Sequence, residues 1–172
     1  GRRVGIMSEN IIVRNCHMMD GHGGVVIGSE MSAGVKNVFV EDCTMDSPNL
    51  DRAIRLKTNS KRGGVVDGVY VRNIKVGKVK EAVLHITMHY SVYGNQTGNF
   101  IPQIRNIFLE NFTVKDAGDY AIFADGLENS KIDNVIFKNI KIDKVKEAFK
   151  LKDITNLQVI DTYINNEKVT QP

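Results

Sequence analysis

A seven-residue pattern recurs along this chain and limits what it can fold into: Asn, apolar, any residue, apolar, charged, Asn or Asp, apolar. Copies stand at residues 10–16, 37–43, 68–74, 106–112 and 134–140, with a fading copy at 156–162. Their spacing is irregular, from roughly 22 residues (Asn134 to Asn156) to roughly 38 (Gly68 to Asn106), around the span of solenoid repeats. Within each copy apolar residues alternate, which is the period of a strand and not of a helix. No even leucine scaffold is present, which excludes a leucine-rich repeat.

Aligning the copies gives columns. Position two is Ile11, Val38, Val69, Ile107, Val135 and Leu157; position four is Val13, Val40, Val71, Leu109, Phe137 and Val159. Both columns are predicted to point inward on parallel strands about 4.8 Å apart. Position six is Asn15, Asp42, Asn73, Asn111, Asn139 and Asp161. A polar column this persistent predicts a hydrogen-bonded ladder at a bend. Position five runs Arg14, Glu41, Arg72, Glu110, Lys138, so stacked neighbours carry opposite charge and attract. These columns predict an all-β fold, a right-handed parallel β-helix of about six rungs, spanning residues 1–172 as one domain and truncated at its N-terminal side.

A second strand follows most copies, at residues 25–27, 53–58, 83–88, 121–124 and 148–152. With Ile54 and Leu56 facing in, Arg55 and Lys57 share the outer face, and His85 and Thr87 extend it by one rung. The result is a row of cationic and polar groups along a groove. Arg offers a planar fork and Lys a point charge, a combination suited to a carboxylate; a solvated strand face is the plainer alternative. His22 sits between glycines in Asp20-Gly21-His22-Gly23-Gly24, where the backbone can approach a ligand closely.

Composition narrows the remaining choices. At 42% hydrophobic and 25% charged residues, the chain can bury a core and is not a disordered tail. No apolar run is long enough to cross a bilayer as a helix. A net charge of +3 suits an acidic polymer, but without a basic tract interleaved with aromatics it does not suggest nucleic acid. Cys16 and Cys43 occupy the same repeat position, so they are expected one above the other inside, as two thiols rather than a disulfide. His85 and His89, four apart on a strand, do not form a metal pair, and no metal or cofactor is expected. Residues 90–102 read as a loop over the groove. Asn95 and Asn111 lie in formal glycosylation sequons; Asn111 belongs to the ladder and is expected to be inaccessible. The lysine-rich stretch 141–152 reads as a solvated face.

The segment Asp20-Gly21-His22-Gly23-Gly24 resembles the Gly-His-Gly signature of the polygalacturonase family, glycoside hydrolase family 28. Arg55-Leu56-Lys57, about thirty residues on, resembles that family's Arg-Ile-Lys signature. Gly63-Gly64-Val65-Val66 and Tyr90 are similar to residues that bacterial members carry. The resemblance implies hydrolysis of α-1,4-galacturonosyl linkages of pectin, or of a related uronate-rich polysaccharide, with inversion and without metal. It assigns His22 to the catalytic centre, Arg55 and Lys57 to the sugar carboxylate, Tyr90 to the sugar ring, and Gly21 and Gly23 to substrate binding as well. It also implies a secreted or periplasmic parent.

The family places its catalytic aspartates in an Asn-Thr-Asp motif and an Asp-Asp pair, upstream of Gly-His-Gly. Neither occurs here. Asp20, Asp46 and Asp51 read as loop and turn residues. Since inverting hydrolysis needs two carboxyl groups, the fragment is expected to be inactive alone. A solenoid cut between rungs exposes core and strand edges, so end-to-end self-association is expected at the N-terminal face. The alternative is a non-catalytic β-helix for carbohydrate binding or adhesion. A calcium-dependent pectin lyase would show an acidic cluster, and none is apparent.

Overall fold

The computed structural model describes residues 1, 3–91 and 97–172; Asn95 lies outside them. Among the described residues there are fourteen strands and no helix. One long sheet stacks β1 (Ser8–Arg14), β4 (Val35–Met45), β6 (Val65–Lys78), β8 (Gln103–Asp116), β10 (Ile132–Ile142), β12 (Ile154–Ile160) and β13 (Thr162–Ile164). The short β2 (His17–Met18) also joins β4. A second sheet stacks β3 (Val25–Gly28), β5 (Arg52–Lys57), β7 (Ala82–Thr87), β9 (Tyr120–Asp125) and β11 (Glu147–Lys152). All these pairings are parallel. Parallel strands joined by crossovers wind right-handedly, and the product is the right-handed parallel β-helix that the repeat predicts.

The repeat columns are real columns. Ile11, Val38, Val69, Ile107, Val135 and Leu157 pair in one register, as do Val13, Val40, Val71, Leu109, Phe137 and Val159. Their middle members are buried, Val69, Ile107, Val135 and Phe137 completely. Ile11 is exposed because β1 has a strand on one side only. Val4, Ile6, Ile12 and Met19 are exposed at the same end.

Each long strand turns at two corners, and the corners explain the asparagines. Asn15, Asp42, Asn73, Asn111, Asn139 and Asp161 all hold left-handed backbone, as do Asn10, Asn37, Asn106, Asn134 and Asn156 at the other corner. Their φ values lie between 45° and 61°, a region that Asn and Asp tolerate better than other side chains. Asn73 donates to Asp42 at 3.0 Å, Asn111 to Asn73 at 3.1 Å and Asn139 to Asn111 at 2.7 Å. The first-position ladder is a further finding: Asn37 donates to Asn10 and Asn134 to Asn106. Gly68 breaks it, with φ of +81° and no amide, and the adjacent Asp67 accepts from Asn106 instead. Asn111 itself is exposed rather than inaccessible; a corner is covered by the rungs above and below but not from the side.

Outward columns add to the lock. Arg72 contacts Glu41 at 2.6 Å and Lys138 contacts Glu110 at 2.7 Å, in the alternating order expected. Position three, the unrestricted one, carries a ring stack: Phe39, Tyr70 and Phe108 lie 5.1 Å apart and within 12° of parallel. Cys43 is buried, and burial pushes its thiol pKa up. Cys16 is exposed, contrary to expectation, because it belongs to the uncovered first rung; both are free thiols. At the other end Asn165 and Asn166, both left-handed, turn the chain back so that β14 (Glu167–Val169) pairs antiparallel with β13. Two positive-φ residues make the two-residue turn that suits a hairpin.

The ladder generates a test. Asn111→Ala removes two amide bonds and puts a Cβ-bearing residue without local hydrogen bonds into left-handed backbone, for a cost of about 2–4 kcal/mol. Asn111→Gly keeps the backbone relaxed and is expected to lose about half as much. Equilibrium urea unfolding of the two variants measures the difference; equal losses would show that the corner geometry is not what Asn supplies.

Candidate functional site

The groove is built on the second sheet. In β5, Ile54 and Leu56 are fully buried and turn inward, which turns Arg55 and Lys57 outward. The ladder register places Arg55 beside His85 and Lys57 beside Thr87, as the alternation predicts. One rung further, His85 meets Phe123, and the two rings stack at 4.5 Å, 9° from parallel. Tyr90 closes over this floor. Its backbone N–H donates to the Thr58 carbonyl at 3.0 Å, and its own carbonyl accepts from the Asn59 amide at 2.6 Å. The ring then lies 4.5 Å from Lys57 Nζ and 5.7 Å from the Arg55 guanidinium carbon, within cation–π range.

Arg55 is only 8% exposed, and among the described residues it has no acidic partner and its Nε has no hydrogen-bond acceptor. His85 is buried beside it, with Nδ1 likewise unpartnered. Burial, with the charges of Arg52 and Arg55, lowers the His85 pKa to about 3. The floor therefore passes from a cation to a neutral ring stack.

The glycine loop borders Arg55. A Cβ on Gly23 would come within 2.7 Å of the Val26 side chain and 3.4 Å of Arg55 Cβ, so a side chain there would press into the groove floor. Gly21 has a φ of +113° and accepts from the Asp51 N–H at 2.9 Å. That bond brings Asp51 under the loop, where its carboxylate meets His22 Nδ1 at 2.8 Å. His22 is 81% exposed and Asp51 17%. Burial alone would raise the Asp51 pKa. The His22 and Lys80 hydrogen bonds, with the charges of Lys80 and Arg52, outweigh it and hold the carboxyl below its usual value.

Asp51 is the residue that sequence reasoning passed over. Asp20 and Asp46 do serve turns, Asp20 accepting from the Ser47 hydroxyl and Asp46 from the Lys78 N–H at 3.0 Å. Asp51 looks the same in sequence. What sets it apart in the structure is its place just before β5, beside the bridge from Leu50 to Gly21. His89 lies at the groove's far side, bonded to the Gly126 carbonyl at 2.8 Å. Among the described residues no three His, Cys, Asp or Glu side chains are gathered to hold a metal.

Comparison with known proteins agrees with this geometry. The model of glycosyl hydrolases family 28 matches residues 3–165. A polygalacturonase of Ralstonia solanacearum is 33% identical over 107 residues, 61% of this chain and 19% of that protein. An endo-polygalacturonase of Pectobacterium carotovorum subsp. carotovorum is 28% identical over 148 residues, 86% of this chain and 34% of that protein. The crystal structure of a hyperthermoactive exopolygalacturonase from Thermotoga maritima superposes with a TM-score of 0.81 at 33% identity, covering 94% of this chain and 36% of that one. The chain thus spans about a third or less of the length of these relatives. A family match across nearly every rung, together with a shared fold at this identity, shows that the chain belongs to the glycosyl hydrolases of family 28.

Proposed function

We propose that this chain forms the substrate-gripping side of a polygalacturonase-type active site, whose parent hydrolyses α-1,4-galacturonosyl linkages of pectin with inversion. The observation that carries the reading is Arg55, a buried guanidinium with no acidic partner among the described residues. A buried cation without a counter-ion is costly, and a galacturonate carboxylate would complete it. Lys57 offers a second charge on the same face, and Tyr90 an apolar ring against which the sugar packs. Pectic polysaccharide lies outside cells, so the parent would work in a secreted or periplasmic setting.

The division of labour follows from the residues present. Inversion needs a carboxylic acid on the leaving oxygen and a carboxylate on the water, about 6.5–9.5 Å apart. The Asn-Thr-Asp and Asp-Asp motifs that would supply them are not in this sequence. Asp51 fixes Nδ1 of His22, which leaves the exposed Nε2 to exchange a proton with a neighbouring carboxyl. Arg55 and Lys57 orient the sugar, and neutral His85 keeps the floor beside them uncharged. A non-catalytic uronate-binding β-helix is the second reading; it is favoured by the fact that Asp51 is the one carboxylate bonded to His22 among the described residues.

Two outcomes test the first reading. Arg55→Met is expected to leave the melting temperature unchanged or raised, because it removes an unpaired buried charge. It should weaken oligogalacturonate binding about 10- to 100-fold, the worth of a charge-assisted bond of about 1.5–3 kcal/mol. A stable variant with undiminished affinity, by titration calorimetry, would sink the reading. The pure chain should release no reducing ends from polygalacturonate; clear turnover would place the carboxylates within it after all.

The depressed pKa of His85 gives a third expectation. Between about pH 3 and its ordinary 6.5 the unfolded chain binds a proton at this site that the folded chain does not. Stability linked to His85 is therefore full above pH 6.5 and lost as the pH falls toward 3. His85→Phe keeps the stack on Phe123 and should flatten this acid limb in a series of thermal melts. Parallel acid limbs in variant and parent would refute a buried neutral imidazole.

A further inference from the structure

The last strand of the groove sheet repeats the first grip. In β5 the outward residues are Arg55 and Lys57, on either side of Leu56; in β11 they are Lys150 and Lys152, on either side of Leu151. The two pairs lie in the same columns. Arg55 leads through His85 and Phe123 to Lys150, and Lys57 leads through Thr87 and Asp125 to Lys152. Three strand steps separate them, about 14 Å along the axis.

The second pair shares the columns of the first and an aromatic neighbourhood, but it is exposed where Arg55 is buried. Lys150 is exposed, has no acidic partner among the described residues, and holds Nζ 5.6 Å from the Tyr120 ring and 5.7 Å from the Phe123 ring. Lys152 is 67% exposed and only loosely engaged, 3.9 Å from Asp125. Between the pairs one column is the neutral stack of His85 on Phe123, and the other carries Thr87 and Asp125, whose carboxylate faces Lys152 and His89. The path is open along the side. A cleft beside Tyr90 shares His89 and Leu127 with a cleft of about 910 Å³ that reaches Lys152. Glu128 and Asp153 line that second cleft as well, so it is no uniform basic patch, and Lys152 is the lysine among its described lining residues.

We propose that Lys150 and Lys152 form a second carboxylate grip, holding a more distant uronate of the same polymer strand whose nearer uronate sits on Arg55 and Lys57. The proposal rests on the assignment of the first grip to a galacturonate carboxylate. A uronan presents one carboxylate per ring, so two fixed grips about 14 Å apart read chain length. A strand that spans both is held at two points, and one that cannot span is held at one.

The test compares a galacturonate dimer with an octamer, using the full chain, Lys57→Met, and the double variant Lys150→Met with Lys152→Met. Thermal melting confirms that each is folded. The double variant should weaken octamer binding about tenfold, lower its salt dependence and leave dimer binding unchanged. Lys57→Met should weaken both ligands. Octamer affinity untouched by the double variant, with Lys57→Met still weakening both, would overturn the second grip alone. Binding indifferent to Lys57→Met as well would overturn the first grip and the second with it. Equal losses for dimer and octamer in the double variant would also overturn the proposal, by showing no reading of length.

Discussion

The hydrogen bond between one corner amide and the next fixes this structure. A parallel sheet alone sets only a spacing, and an apolar core tolerates a slip of two residues, because the same faces still turn inward. A corner amide does not. Its backbone must be left-handed, its side chain must meet the amide above and below, and a slip breaks both conditions at every rung. Two left-handed corners per long strand, at Asn10 and Asn15 and their equivalents, one of which is Gly68, fix where each rung bends. The ion pairs and the ring stack on the outer face then fall into line.

Because the rungs are in register, insertions between them are absorbed in the loops. The copies are spaced unevenly, yet Arg55 still meets His85 and His85 meets Phe123. A function can thus be read along a column rather than along the chain. The groove sheet has short strands without corner amides of its own, and it inherits its alignment from the long sheet. That leaves its outward positions open to carry Arg55, Lys57 and Lys150, cations that a sheet held together by its own side chains would have to pair.

The stacking, the inward columns and the outward placement of Arg55 and Lys57 were legible in the sequence because each follows from period two and a repeated corner. Where the sequence misled, a neighbour decided. Cys16 matches Cys43 in pattern, but only Cys43 has a rung on both sides. Asn111 is bonded as expected and still meets water, because a corner is open sideways. Asp51 could not be told from Asp20 and Asp46, since its role depends on the Gly21 carbonyl that receives its N–H. The ring stack of Phe39, Tyr70 and Phe108 occupies the one position the pattern leaves unrestricted; read down the column rather than along the strand, it was visible.

Arg55 shows what the rigidity serves. A guanidinium in a loop could turn to water or to a nearby acid when no ligand is present. On β5 it is held between inward Ile54 and Leu56, roofed by Tyr90 and flanked by a histidine that burial and the neighbouring arginines keep neutral down to about pH 3. The nearby acids are already engaged: Glu81 bonds Arg52, and Asp51 bonds His22 and Lys80. The Arg55 charge also opposes that of Arg52, which burial and Arg55 together hold below the usual guanidinium pKa, and both arginines suppress ionisation at His85. The local arrangement is therefore strained electrostatically in the direction that one added carboxylate relieves, and the amide ladders on the opposite sheet supply the stability that lets the strain persist.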